Sequence, residues 1–211
     1  MLITWGKTRI LCNLTLQEKV PGWLAGQGRG WMTAEYALLP RSTHTRTPRE
    51  NQGLKGRTQE IRRLIGRALR MAVDLDLIGE RTLLLDCDVL QADGGTRVAA
   101  ITGGYLALAL ALAPQITSGN LPAEALHSPV AAVSVGIVQG QPILDLNYAE
   151  DSQADVDLNI VMNDAGHFVE IQGTAENAPF SRPDLESMLG LAEQGLRQIL
   201  ILQKDFLKDR L

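Results

Sequence analysis

Apolar and polar positions along this chain fall into two periods. From Arg9 to Leu16 alternate residues are apolar, with Ile10, Cys12, Leu14 and Leu16 on one side, which predicts a strand. Gly26 to Gly30 reads as a glycine-rich turn, and Trp31 to Leu38 as a second strand ended by Pro40. From Thr58 to Val73 the period lengthens. Ile61, Leu64, Ile65, Ala68, Leu69, Ala72 and Val73 recur at three and four, the spacing of a helix with one buried face, and Gly79 stands just beyond its expected end. Arg81 to Leu90 predicts a strand and Val98 to about Ala113 a helix. Val130–Val138 and Ile143–Leu146 predict a hairpin around Gln139-Gly140, and Val156–Met162 and Phe168–Ile171 another around Asn163–Gly166. Ser181 and Asp184 have capping-box spacing and open a last helix running to Phe206 or beyond. Residues 41–55 lack any period and read as a long loop, mobile or ordered by a ligand, and Pro114 to Pro129 reads as a second loop region. The sum is a mixed α/β pattern with hairpins, one domain over residues 1–211 with no internal repeat or linker.

Composition adds limits. The chain is 45% hydrophobic over 211 residues, enough for a sizeable core. Its richest apolar stretch, Tyr105 to Ala113, is too short to span a bilayer and no signal-peptide pattern opens the chain, so no membrane is expected. Cys12 and Cys87 fall in predicted strands without metal-ligand spacing and read as reduced core thiols, which suits a cytoplasmic protein. The net charge of −4 hides an uneven distribution. Residues 41–70 carry +7, residues 1–40 carry +2, and residues 71–211 carry −13. A basic block in an acidic protein fits a polyanion site; taken alone, it is equally compatible with salt bridges, including some across a subunit interface.

Three segments bear chemistry. In Gly94-Gly95-Thr96-Arg97, two glycines allow close backbone approach just before a helix, where free N–H groups favour an anion, and Thr96 and Arg97 add donors matched to phosphate. A plain turn is the competing reading. In Gly56-Arg57-Thr58 the arginine sits at a helix start, where a cation slightly opposes the dipole, so an anion nearby would compensate. Between Glu150 and Asp157 there are four carboxylates. Alternation points Asp155, Asp157 and Asn159 to one face, while Asp151 lies on the preceding turn and could fold back. Such a cluster suits a hard divalent cation such as Mg²⁺ or, equally, a solvated acidic turn. Phosphate donors and metal carboxylates together are the equipment of phosphoryl transfer. His44, His127 and His167 are scattered, and no Ser, Cys or His makes a nucleophilic triad.

The runs Trp31–Tyr36, Leu39–Arg46, Gly56–Ile61, Leu85–Arg97, Val130–Gly136, Glu150–Asn159 and Glu170–Glu176 occur in the order of the ribonuclease PH family, which this chain resembles over nearly its whole length. The resemblance implies an α/β fold of the ribosomal protein S5 domain 2-like type, assembling into a ring-shaped homo-hexamer, a trimer of dimers. It implies phosphorolysis: inorganic phosphate attacks the last phosphodiester of RNA, reversibly, releasing nucleoside diphosphates and maturing tRNA precursor 3′ ends. By position, Arg57, Gly95, Thr96 and Arg97 look like the phosphate site, and Asp151 and Asp157 like the metal and catalytic carboxylates. Arg41, Arg46 and Arg49 resemble the family's arginines at the ring interface and RNA path. Family members open with a further segment and strand before the one matched by Leu2-Ile3-Thr4; on this expectation the chain lacks it, leaving an unpaired edge. The alternative expectation is a non-catalytic RNA-binding ring subunit of an exosome-like assembly, in which phosphate or carboxylate residues would be lost. A small-molecule phosphotransferase would leave the Arg41–Arg49 cluster unexplained. Aromatics are only 4%, so RNA is expected to be held mostly through its backbone.

Overall fold

The computed structural model describes residues 1–51, 53, 55–208 and 210. Four strands, β1 (Leu2–Trp5), β2 (Thr8–Gln17), β3 (Trp31–Leu38) and β4 (Thr82–Gln91), make a first sheet in the order β1-β2-β4-β3. Only β3 and β4 are parallel, joined by a crossover through helix α1 (Gly56–Arg70) and the four-residue α2 (Leu75–Ile78). The second sheet is antiparallel, β6-β5-β7-β8, from β5 (Val130–Val138), β6 (Gln141–Leu144), β7 (Val156–Asn163) and β8 (Phe168–Ala175). Helix α3 (Thr96–Thr117) lies between the sheets, the one-turn α4 (Tyr148–Asp151) precedes β7, and α5 (Arg182–Leu207) closes the chain.

The layers follow from which faces are apolar. In sheet one, Ile10, Cys12, Leu83, Leu85, Cys87 and Val89 point inward, while Arg9, Asn13 and Asp86 point outward, so one face stays wet. The inward face packs on α1 and α3. Val130, Ala132 and Val161 of sheet two complete that core from the far side of α3. The opposite face of sheet two, with Val133, Val135, Leu158 and Ile160, packs on Met188, Ala192 and Leu196 of α5. The result is a sheet–helix–sheet–helix stack. Because α3 is covered on both sides, it is apolar all round. It is long and apolar enough to cross a bilayer, yet most of it is buried inside the protein.

Several boundaries differ from the sequence reading. Helix α3 does not stop at Ala113 but passes through Pro114, giving up one backbone bond near its end. Gly79 does not follow α1. It caps α2, which Asp74 starts by accepting bonds from Asp76 N and Leu77 N. Strand β8 continues past Ile171 through Gly173, where a Cβ would lie 2.4 Å from the Asp157 carbonyl oxygen; glycine there lets the two strands meet. The long loop is not free-running in its first half: Ala92 N donates to Ser42 O (2.8 Å), Thr47 N to Pro40 O (2.9 Å), and the Thr43 and Thr47 hydroxyls lie 3.0 Å apart. Cys12 and Cys87 are buried, free cross-strand neighbours.

Candidate active site

Strand β4 delivers the chain to Asp93, and the turn that follows starts α3. Gly94 has φ +84, and a Cβ there would lie 2.3 Å from the Leu146 carbonyl oxygen. Only glycine can therefore press this turn against the segment leading to α4. Gly95, with φ +57, is the N-cap of α3 and gives no side-chain cap, so the first-turn N–H groups stay available. Thr8 holds the turn from behind: its hydroxyl donates to Gly94 O (2.7 Å) and accepts from Asp93 N (2.9 Å).

On the facing segment, Asn147 caps α4 by accepting from Ala149 N (2.9 Å) and Glu150 N (3.1 Å), and Glu150 accepts in return from Asn147 N (2.9 Å). This fixes Asp151, at the end of the turn, toward the start of β7. There Asp157 and Asn159 share a face, opposite Gly136 and Ser134 of β5.

These pieces enclose one cavity of about 300 Å³, lined by Arg57, Gly94, Gly95, Thr96, Arg97, Ser134, Asp151, Asp157 and Asn159 together with residues of β3 and the long loop. All six residues expected at the phosphate and carboxylate sites are thus brought together. Of the four-carboxylate cluster, only two enter. Glu150 is used in the cap, and the Asp155 backbone binds Ile137 and Glu176. A larger cavity, about 670 Å³, lies at the other end of β3 around Trp23 and Trp31. It lacks the paired carboxylates facing arginines, so chemistry rather than volume marks the site.

The electrostatics agree with an anion-and-cation pocket. Burial, the neighbouring Asp151 and more distant Glu176 push the Asp157 carboxyl up to about 6, against the pull of Arg97 and Arg57. Asp151 is raised too, chiefly by burial. Two carboxylates this unwilling to ionise fit a divalent cation, which would relieve both. Among the described residues no group of three or more His, Cys, Asp or Glu side chains forms a ready-made metal cluster.

On the donor side, Arg97 Nη2 donates to Glu60 (3.1 Å), which also accepts from Gln172 Nε2 (3.0 Å). The buried Arg97 Nε and Ser134 Oγ have no protein partner among the described residues. Tyr36 donates to Thr96 Oγ1 (2.8 Å), leaving the Thr96 hydroxyl hydrogen free for an anion. The pattern reading missed Tyr36, Ser134, Tyr148, Thr43 and Thr47 as lining residues, and Glu60 and Gln172 as supports. For Tyr36, Thr43, Glu60, Ser134 and Gln172 the one signal was membership of the motif runs, which gives no role; Thr47 and Tyr148 lie just outside the runs and had none.

The basic block divides. Arg62 pairs with Glu35, Arg67 with Glu170, and Arg70 stacks on Trp31 at 3.9 Å. Arg41, Arg46 and Arg49 are exposed, and among the described residues none has an ion-pair partner. They do not line the main cavity. Arg49 lines an adjoining one of about 240 Å³ that shares Tyr36, Leu38 and Thr47 with it.

Residues 1–114 match the family model described as 3′ exoribonuclease family, domain 1, and residues 128–195 the model for domain 2. The chain is 58% identical over 210 residues to ribonuclease PH of Moorella thermoacetica, covering 99% of this chain and 84% of the relative. It is 53% identical over 214 residues to ribonuclease PH of Bacillus subtilis, covering 100% and 87%. Among solved structures it resembles the Archaeoglobus fulgidus exosome with RNA bound to the active site, with a TM-score of 0.78 and 20% identity over 97% of this chain and 82% of that one. It also resembles rice Rrp46, with a TM-score of 0.74 and 16% identity over 97% and 86%. At those identities the two structures speak for the fold.

Proposed function

The chain belongs to the ribonuclease PH family of 3′ exoribonucleases, and from that premise we propose how its pocket works. The protein is a phosphorolytic 3′-to-5′ exoribonuclease that trims tRNA precursors and other RNA 3′ ends. One observation carries the site assignment: Arg57, Gly95, Thr96 and Arg97 line the same cavity as Asp151 and Asp157. Inorganic phosphate sits at the start of α3, held by Thr96, by the free first-turn N–H groups and by the guanidiniums of Arg57 and Arg97. One of its oxygens forms a bond to the phosphorus of the last phosphodiester, and the bond from that phosphorus to the preceding 3′ oxygen breaks. The products are a nucleoside diphosphate and RNA shortened by one residue, whose 3′ oxygen takes up a proton. Asp151 and Asp157 would hold a divalent ion such as Mg²⁺, which when bound would neutralise charge on the transferred group. Either carboxylate, lining the same cavity, is placed to help protonate the departing 3′ oxygen, which the ion alone would also stabilise.

Arg41, Arg46 and Arg49, exposed beside the cavity, hold the RNA backbone or a neighbouring subunit. We read the assembly as a homo-hexameric ring, a trimer of dimers, and two free buried thiols suit a reducing cytoplasm. An intact donor and carboxylate set argues against a non-catalytic ring subunit.

The test uses the full chain with Mg²⁺, phosphate and a tRNA bearing a 3′ extension. Nucleoside diphosphates are expected, and none without phosphate. Release of monophosphates, or no release, overturns the assignment. Light scattering should give the mass of six chains.

A further inference from the structure

We infer that Tyr148, with His44 beside it, is the subsite for the 3′-terminal nucleobase, held by stacking on its face rather than by recognition of its edge; this rests on the phosphorolytic reading above. Tyr148 precedes Asp151 by three residues on α4, so the two side chains leave the same side of the turn, and both line the cavity. The two tyrosines of the cavity differ sharply. Tyr36 is 5% exposed and committed to Thr96 through its hydroxyl. Tyr148 is 54% exposed, and among the described residues its hydroxyl has no hydrogen-bond partner. Neither a core nor a polar contact explains a large ring at this point. His44, from the loop that ends at α1, brings a second ring to 5.6 Å from it, tilted by 47°. The rings are too close and too tilted to sandwich a base, so one face of Tyr148 is the platform and His44 its edge.

Position supplies the ligand. A terminal phosphodiester lying between Arg57 and Arg97 on one side and Asp151 and Asp157 on the other carries its base one ribose away, next to Asp151. The exposed ring one helical turn from Asp151 is there to meet it. Stacking also matches the task. An enzyme that removes residues one after another must accept all four bases, and every base has a π face.

The experiment crosses protein and substrate changes, using the full chain with phosphate and Mg²⁺. Two RNAs differ only in the last nucleotide, one normal and one abasic. For the normal RNA, Tyr148→Ala should raise KM about 5- to 100-fold, the usual loss for one base–aromatic stack, with KM for phosphate unmoved. The abasic RNA should show that raised KM already with the unaltered protein, and Tyr148→Ala should add nothing further. Tyr148→Phe, which keeps the ring, should restore tight use of the normal RNA. Equal losses on both RNAs, or an unchanged KM on the normal one, overturn the proposal. A second readout does not need turnover: RNA ending in 2-aminopurine should be quenched on binding to the unaltered protein and to Tyr148→Phe, but not to Tyr148→Ala. If no diphosphate forms, the phosphorolytic reading fails, and the quenching still decides the stacking.

Discussion

Asp157 meets two conflicting demands: it must be charged to hold a cation, and it sits where charge is disfavoured. Its carboxyl is raised from 3.8 to about 6 in the fold. A carboxyl raised this way stabilises the fold while protonated. That contribution is full below pH 3.8 and lost as pH climbs through about 6. Without divalent ions, Asp157→Asn should therefore raise the melting temperature at pH 8 by a few degrees and change it little at pH 4. A fall at pH 8 would mean the carboxylate is a structural anchor instead. The same variant should lose turnover while still binding RNA. Arg97 presents the complementary case. Glu60, itself held by Gln172, orients its guanidinium toward the cavity; Arg97→Ala should leave the fold intact but raise KM for phosphate about 10- to 100-fold, the worth of one hydrogen bond to a charged group. Unchanged phosphate dependence would remove Arg97 from the site.

Among the elements, the turn between β4 and α3 matters most, because it touches the segment carrying Asp151. Gly94 makes that contact, with its φ of +84 and the Leu146 carbonyl where a Cβ would go. Gly94→Ala should cost about 1–3 kcal/mol from backbone strain alone, and the turn must also move away from α4. Activity should then fall more than stability explains, measured as kcat/KM at a temperature where the variant is fully folded. Asn147→Ala removes only the cap of α4 and should cost about 1 kcal/mol.

For the whole molecule, the site lies where the two halves meet. Arg57 and the turn before α3 come from the half built on sheet one, Asp151 and Asp157 from the half built on sheet two. Helix α3, packed between the sheets, fixes one against the other, and Arg67–Glu170 and Glu60–Gln172 tie α1 to β8 at the site's edge. The free arginines of the loop act over longer range. Replacing Arg41, Arg46 and Arg49 together by alanine should lower the slope of log affinity against log salt for single-stranded RNA by about 2, at about 0.7 per phosphate neutralised. A slope left intact would assign them to subunit contacts, and the assembled mass would then fall.

The sequence by itself determined the long strands and helices, because periods of two and of three to four are local consequences of which side chains must be buried; the one-turn helices α2 and α4, too short to show a period, it did not. Pattern marked the Gly94–Arg97 turn, Arg57 and the acidic cluster as candidates, and the order of the motif runs, through the family resemblance, pointed to Arg57, Thr96, Arg97, Asp151 and Asp157. It could not pass Pro114 or Gly173, where tertiary packing overrode the local signal for a break. Pattern alone left the acidic cluster and the basic block undivided; the tertiary structure showed which members enter the cavity and which are used elsewhere, Asp151 and Asp157 against Glu150 and Asp155, and Arg41, Arg46 and Arg49 against Arg62, Arg67 and Arg70. It alone brought in Tyr36, Ser134 and Tyr148. A charge or hydroxyl takes its role from what faces it, and the facing residues lie up to a hundred positions away in the chain, joined by packing that no local pattern records.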